Sequence, residues 1–493
     1  MQYRIPIVAR GKVIEDCEVT CEGRYGASFL CPDPNKYLPE ILLPTRRALE
    51  PLYQISLDDV VDYLIELGTR LRIDTNPHLQ WALELASVFN DVPSHLVRGA
   101  MAAFPTRFLT REHLEAMIAT VGREHLDGWK SYERSTGRIS HIHAFGVPTA
   151  HVIAGNGPSV AMMTFVRNAL IRGYAIVKIP SNELGTAVAL ARTAIDMAPD
   201  HPLTRAFTVA YWRGGDVDFE SKLYHPRNVE RIVAWGGFAS VRHIAKYVRP
   251  GIDLVTFDPK ISRSILGADT FSSEHTMREA AIRLADDVGN GNQNGCTNCR
   301  VSYAISDGSP ASLETLRRFG QMVFDEIQRL PPEVSSEALH MDAGFQSKIA
   351  ALAMLDDDFH VIGGDKRGGV ILSLTGDQVD FADELRYRTL NIVPVKDYDA
   401  MLRFITRDVQ TVGVYPENVR DELRTTLALH GVQRITSLGY MREYGADIDP
   451  HDGNEALRKM CTWVVAEDCM TNYAPALWRK PAAAPGGRTR PAP

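Results

Sequence analysis

The densest concentration of potential chemistry lies around Cys296, in the run GNGNQNGCTNCRVSY. A cysteine between a Gly/Asn-rich turn and a β-rich run can present its sulfur at the end of an element. Only the thiolate attacks, so a nucleophilic role requires surroundings that favour S⁻. Other readings stand beside it. Cys296 is an inert buried thiol, or, because Cys296 and Cys299 form C-x-x-C, half of a metal site or a redox dithiol. No matching C-x-x-C or H-x-x-x-H occurs elsewhere, and Cys461 and Cys469 are too widely spaced to form one.

Three other blocks carry candidate groups. In HVIAGNGPSVAMMTF a strand runs into a Gly-Asn-Gly-Pro-Ser turn and then a helix. Backbone N–H groups at a helix start favour an anion or developing negative charge, and Asn156 adds an amide donor. A tight turn with a helix cap explains the same residues. In IVKIPSNELG, Lys178 leaves a buried strand where it can reach a ribose hydroxyl or a phosphate, while Ser181 and Asn182 are natural helix N-caps. In VAWGGFASVRHI, Gly236 and Gly237 join a strand to a helix as a phosphate-approach loop does, without the G-x-G-x-x-G spacing. GNGNQNG lacks the third glycine and precedes a cysteine, so it is no dinucleotide fingerprint either.

These blocks need elements to position them. Arg4 to Val8 and Val13 to Val19 read as a β-hairpin turning at Gly11. From Leu57 to about Gly137 the apolar spacing is helical, as in DDVVDYLIELGTRLRI and EHLEAMIATVGREHL. Strand and helix then alternate. A helix is expected over Val160 to Arg172, then the strand YAIVKIPS, the helix ELGTAVALARTAIDMA, the strand RIVAWGG and the helix ASVRHIAKYV. Short loops between them indicate a parallel sheet with crossover helices. The helix MREAAIRLADDVG leads into the Cys296 run, and further α/β alternation reaches about Leu438.

Composition narrows the class. The chain has 493 residues, 45% hydrophobic and 23% charged, which fits a globular enzyme of two or three domains. With 54 basic and 61 acidic side chains the formal charge is −7, which argues against a nucleic-acid partner. No apolar stretch reaches the ~18 residues of a membrane span. No secretory leader is visible, and seven cysteines in so long a chain make no disulfide framework, so a reducing cytoplasm is expected.

Taken in order, V-I-x-G-N-x-P, V-K-x-P-S, strand–Gly-Gly–helix and Q-N-G-C, the blocks resemble the aldehyde dehydrogenase superfamily from about residue 140 to 470. A closer resemblance is to the LuxC-type acyl-CoA (long-chain fatty acid) reductases. It rests on VIAGNGP, KIPSNE, QNGC at 293–296, TVGVYP at 411–416, GVQRITSLG at 431–439 and HDG at 451–453 ahead of a Trp-containing strand. The resemblance implies an α/β fold with a Rossmann-like cofactor domain, an α/β catalytic domain and an active site in the cleft between them. On that pattern, residues 1–135 form a β-hairpin and helical region, 136–270 bind a nicotinamide cofactor, 271–440 are catalytic and 441–475 return along the chain. The Pro/Ala/Gly-rich 476–493 is expected to be a disordered tail. The resemblance further implies Cys296 as nucleophile, Asn156 and the Cys296 N–H as oxyanion donors, Lys178 and Ser181 near the adenosine ribose, Gly236 and Gly237 at the pyrophosphate, and no metal.

Departures from the superfamily refine the expectation. Hydrolytic members carry a general-base glutamate where this chain has Thr256 in VTFDPKIS, and a second familiar glutamate is missing from YRTLNIVPV. Threonine cannot activate water at neutral pH, so the acyl group should pass to hydride or to another thiol. The expected activity is reduction of an acyl thioester, from acyl-CoA or an acyl carrier, to the aldehyde. A CoA-acylating dehydrogenase working oxidatively is the alternative, and a C-x-x-C metal-binding or scaffold protein is the alternative of another class. Ser181 stands where NAD-using relatives often place a glutamate, which favours NADPH over NADH, although Glu183 lies two residues on. A homo-oligomer and an acyl-protein synthetase partner complete the expectation.

Overall fold

The runs RIVAW and TLNIVPV are buried at every position, and YAIVK at all but Lys178. Strands apolar on both faces belong inside parallel sheets covered by helices. The computed structural model, which describes residues 2–135, 138–442 and 448–468, contains two such sheets. Both the Cys469 position and the expected tail 476–493 lie outside the described residues.

The first sheet runs in the order Asp253–Phe257, Arg231–Trp235, Pro148–Val152, Tyr174–Lys178, Phe207–Ala210, with those five strands parallel. Its chain path moves outward from Pro148–Val152 to one side, then returns to build the other. The point of reversal, between the carboxyl ends of Pro148–Val152 and Arg231–Trp235, is where doubly wound sheets take their ligands. Ser159–Leu170, Thr186–Met197 and Phe238–Ala245 are the helices that follow the first, second and fourth of these strands in the chain.

The N-terminal hairpin joins this sheet antiparallel, through Val8 opposite Val209. Its turn has Arg10 at φ 49° and Gly11 at φ 78°, the two left-handed residues that match the strand twist. Here the structure is more divided than the sequence suggests. Strand Ile7–Ala9 is separated from Tyr3–Arg4 around Pro6, which has no N–H for a ladder. The return strand stops at Ile14, and after the polar Glu15-Asp16-Cys17-Glu18 the chain starts a new strand at Val19–Glu22. That strand pairs with Ser28–Cys31, which in turn pairs with Tyr3–Arg4 in a separate small sheet. The helical region begins as expected. Leu57–Arg70 opens on a capping box between Ser56 and Asp59.

The second sheet has the order Phe359–Asp365, Gly368–Ser373, Thr389–Val395, Cys299–Ile305, Ile261–Leu266, Val409–Tyr415, Arg434–Ser437, parallel except for its first, edge strand. Separate apolar clusters cover its two faces, so Cys299 and Ala304 pack to one side while Val301 and Tyr303 pack to the other. A third, antiparallel sheet pairs Ile139–Gly146 with Lys130–Glu133 and with the late strand Cys461–Asp468.

Helix Glu274–Gly289 ends in a buried acid that organises the chain beyond the second sheet. The Asp287 carboxylate accepts hydrogen bonds from Gly439 N–H at 2.6 Å and Met441 N–H at 2.8 Å. Burial pushes its pKa up to about 8, against the pull of those two donors. Replacing it with alanine leaves two buried N–H groups without their acceptor. Asp287→Ala should therefore cost about 2–4 kcal/mol in urea melts, and Asp287→Asn, which keeps one acceptor, clearly less.

Candidate functional site

Cys296 follows a turn whose backbone is unusual over three residues. Gly291, Asn292 and Gln293 have φ of 62°, 55° and 60°, left-handed values that cost energy for the two residues that are not glycine. Side-chain amides hold them there. Gln293 donates from Nε2 to the carbonyls of Cys299 and Thr389, both at 2.8 Å, and accepts from Thr389 N–H at 2.8 Å. Asn292 Oδ1 accepts from Ser336 N–H at 2.8 Å. Asn298 accepts from Gly295 N–H at 2.9 Å, and its Nδ2 faces the carbonyls of Asp287, Val288 and Asn290 at the end of the preceding helix. The Cys296 carbonyl is taken by Ser262 Oγ at 2.7 Å. The sulfur is thus carried on a peptide segment fixed on both sides.

This loop meets the first sheet through paired asparagines. Asn294 Nδ2 donates to the Asn156 carbonyl at 2.8 Å, and Asn156 Nδ2 lies 3.4 Å from the Asn294 carbonyl. The exposed Asn156 amide has a second N–H beyond that contact. Asn182 braces the same turn by donating to the Gly155 carbonyl at 2.7 Å, and a side chain at Gly155 would collide with it. This corrects the reading of Ser181 and Asn182 as helix caps. The helix starts later, at Thr186, whose N–H and hydroxyl both donate to Glu183 Oε1. Glu183 is consequently turned inward and buried. Ser181 is half-buried in the turn after Lys178. No side chain caps helix Ser159–Leu170, which opens just beyond Asn156.

Cys299, three residues on, is differently placed. It begins strand Cys299–Ile305, is fully buried, and lies 3.3 Å from Ser264 Oγ and 3.4 Å from the Val301 carbonyl. Burial raises its thiol to about 12. Cys296 is half-buried, so the two sulfurs of the C-x-x-C occupy different environments.

Lys178 ends strand Tyr174–Lys178 with its ammonium 5.8 Å from the Tyr211 ring centre and 5.7 Å from that of Trp212. Burial pulls its pKa down to about 8, with Glu220 pulling the other way. Gly236 has φ 148°, and a side chain at Gly237 would meet open space. These residues stand at the carboxyl ends of strands around the sheet's point of reversal.

The structure adds residues for which sequence reasoning assigned no role. Burial, the largest influence, and the nearby Asp452 raise the pKa of the Cys296 thiol, while the Gln410 side chain beside it acts to lower it. Gln410 Nε2 also donates to Asp452 Oδ1. Burial lifts the Asp452 carboxyl to about 6. The turn carrying Asp452 is anchored on strand Asp253–Phe257, since Asn454 donates to the Thr256 carbonyl at 3.0 Å. His451 lies edge-on to the stacked rings of Trp235 and Phe257, at 5.2 and 5.1 Å. Arg442 packs against the Cys296 loop, where a side chain at Gly295 would strike its guanidinium. The HDG and TVGVYP runs flagged this region, but the spatial meeting of Gln410 and Asp452 with Cys296 has no local sequence signal.

Comparison with known proteins gives the family and the fold. A family described as acyl-CoA reductase (LuxC) matches residues 52–463. The chain is similar to a long-chain acyl-protein thioester reductase of Aliivibrio fischeri, 28% identical over 294 residues that span 59% of this chain and 58% of the relative. It is also similar to the protein of that name from Photorhabdus luminescens, 26% identical over 70% of this chain and 68% of the relative. Among solved structures it superposes on an NADP-dependent glyceraldehyde-3-phosphate dehydrogenase from Bacillus halodurans C-125 with TM-score 0.73 at 11% identity, covering 95% and 100% of the two chains. An aldehyde dehydrogenase from Brucella melitensis biovar abortus 2308 gives TM-score 0.72 at 11% identity, covering 94% and 97%. The fold is that of the aldehyde dehydrogenases.

The thiol's raised pKa has a measurable consequence. Below that pKa the thiolate fraction grows about tenfold per pH unit, so alkylation of Cys296 by iodoacetamide should climb steeply between about pH 7 and 9. Gln410→Leu removes a polar group that lowers the thiol's pKa and should move the curve to higher pH. Peptide-resolved mass spectrometry measures both, and an unchanged curve would separate Gln410 from the sulfur.

Proposed function

The chain belongs to the acyl-CoA reductase (LuxC) family, and we propose that it reduces a long-chain acyl thioester to the aldehyde through an acyl group carried on Cys296. The donor is acyl-CoA or, as the names of the relatives suggest, an acyl group on a synthetase protein. The observation that carries this reading is the asparagine pairing that seats the Asn156 turn against the Cys296 loop. It seats a turn that bears an amide donor against the loop two residues before Cys296, an arrangement that suits acyl transfer.

In the first step the Cys296 thiolate bonds to the acyl carbon while Asn156 and the Cys296 N–H receive the charge on oxygen. One such donor is typically worth about 3–4 kcal/mol. The carbon–sulfur bond of the donor breaks, and the proton lost by Cys296 ends on the departing thiol. The acyl-enzyme then takes up hydride and a proton, and the aldehyde leaves as Cys296 regains its thiol.

The residues at the sheet's reversal suit a nicotinamide cofactor, which supplies the hydride when bound. Lys178 offers a desolvated ammonium to ribose hydroxyls or a phosphate, and the Gly236–Gly237 turn leaves room for a pyrophosphate beside helix Phe238–Ala245. NADPH is the preferred form in this reading. Ser181 would not repel a 2′-phosphate, and the inward turn of Glu183 takes the one nearby carboxylate of that segment out of the way. Thr256 supports an acyl-enzyme that resists water. The six described cysteines are unbridged, which supports a reducing, cytoplasmic setting. A homo-oligomer and a synthetase partner remain part of the proposal.

Mixing the protein with a long-chain acyl-CoA and no cofactor should give a stoichiometric burst of free CoA followed by little turnover. Cys296→Ala should abolish the burst, and Cys299→Ala should retain it. Continuous CoA release would show that Asp258, Asp452 or another group activates water. With cofactor present, NADPH oxidation should match aldehyde formation one to one, and a clear kinetic preference for NADH would overturn the cofactor assignment. Lys178→Met should weaken NADPH binding, read by fluorescence titration, while leaving the burst in place.

A further inference from the structure

The reaction above leaves the N-terminal cysteines unused. Cys21 lies on strand Val19–Glu22 and Cys31 on its antiparallel neighbour Ser28–Cys31. The register sets Cys21 opposite Phe29 and Val19 opposite Cys31, so the two cysteines are diagonal neighbours on one face. Their sulfurs are 3.5 Å apart and both are free thiols. A disulfide is about 2.05 Å long, so a closure of roughly 1.5 Å separates the two states.

The thiols divide the work of an oxidation. Cys21 is half-buried, whereas Cys31 is 2% exposed. The hydrogen bond between the two sulfurs, in which either can donate, and the charge of Arg213 hold the Cys21 thiol below its usual range, against burial. The same bond and burial push Cys31 well above it. A partly accessible thiol held below its usual pKa, with a second thiol in reach, is the arrangement found at redox-sensitive cysteines. Cys17, the third cysteine here, is buried with its sulfur 3.6 Å from the Ile5 carbonyl.

The pair also adjoins Lys178 through one aromatic ring. Phe29, opposite Cys21 in the register, meets Tyr211 edge-on at 4.8 Å, and the Lys178 ammonium lies 5.8 Å from the Tyr211 ring centre. We propose that Cys21 and Cys31 are a dithiol–disulfide site for peroxides, and that closing the disulfide weakens cofactor binding at Lys178. The second half rests on the cofactor reading of Lys178 given above; the first half does not.

The chemistry balances with hydrogen peroxide as oxidant. The Cys21 thiolate attacks one peroxide oxygen, an S–O bond forms, the O–O bond breaks and hydroxide leaves. Cys31 sulfur then bonds to the Cys21 sulfur and expels the oxygen, which leaves as water with the Cys31 proton, while the proton that Cys21 released on ionising neutralises the hydroxide. Two thiols lose two electrons and the peroxide becomes two waters. A dithiol reductant reverses the change.

The test uses the full chain carrying Cys296→Ala, so that the reactive thiol of the site does not consume oxidant. Limiting hydrogen peroxide should lower the intact mass by about 2 Da, and peptide mapping should link Cys21 to Cys31. Cys31→Ser in the same background should instead accumulate a sulfenic acid at Cys21. Fluorescence titration should show NADPH affinity reduced about fivefold or more in the oxidised protein and restored by dithiothreitol. Linkage of Cys21 to Cys17, or both thiols surviving peroxide, overturns the site. A disulfide with unchanged NADPH affinity overturns the coupling. Failure of the reduced protein to bind NADPH overturns the coupling together with the cofactor reading of Lys178, while the mass shift still decides the dithiol.

Discussion

The site depends on a backbone conformation that its own residues resist. Asn292 and Gln293 occupy left-handed space beside Gly291, and they stay there because side-chain amides outnumber the alternatives. Gln293 alone closes three hydrogen bonds with buried backbone groups of two strands. Buried amides so placed would be costly to leave unpaired, and that cost is what keeps the turn wound. The position of the Cys296 sulfur is therefore set by amide chemistry several residues away, before any interaction of the thiol itself is considered.

From this turn the two halves of the site follow. Asn294 reaches to the first sheet and fixes the Asn156 turn, which Asn182 supports from beneath. On the other side Ser262 ties the Cys296 carbonyl to the second sheet. Thr411 N–H lies 3.3 Å from the same hydroxyl, so the strand bearing Gln410 is drawn to the Cys296 loop. The turn at 451–454 closes the remaining side. It occupies the end of the Thr256 strand with an asparagine contact and an imidazole set against two stacked rings.

Much of this was legible in the sequence because it is local. Buried parallel strands such as RIVAW announce themselves by composition, and the ordered blocks around Asn156, Lys178, Gly236 and Cys296 carried the resemblance to the family. Short elements were less legible. Pro6 and the polar run Glu15 to Glu18 divide an apparent hairpin among two sheets, and the division depends on which partner strand each fragment finds. Asn182 looked like a helix cap because its type suits that task, yet its amide is drawn to a carbonyl 27 residues earlier in the chain. Gln410 and Asp452 were illegible as site residues for the same reason: their role exists through a distant contact, and neither residue type is distinctive where it stands.

The hydrogen bonds around Cys296 also impose an order in time. Its loop needs Asn156 from early in the chain, Thr389 and Gln410 from late in it, and the 451–454 turn from later still. During synthesis the cysteine leaves the ribosome well before most of these partners exist. The nascent thiol thus has neither its donors nor its seated loop, and it gains them when more than 150 further residues have been made. An unfinished chain in this way carries Cys296 on a loop that is not yet assembled.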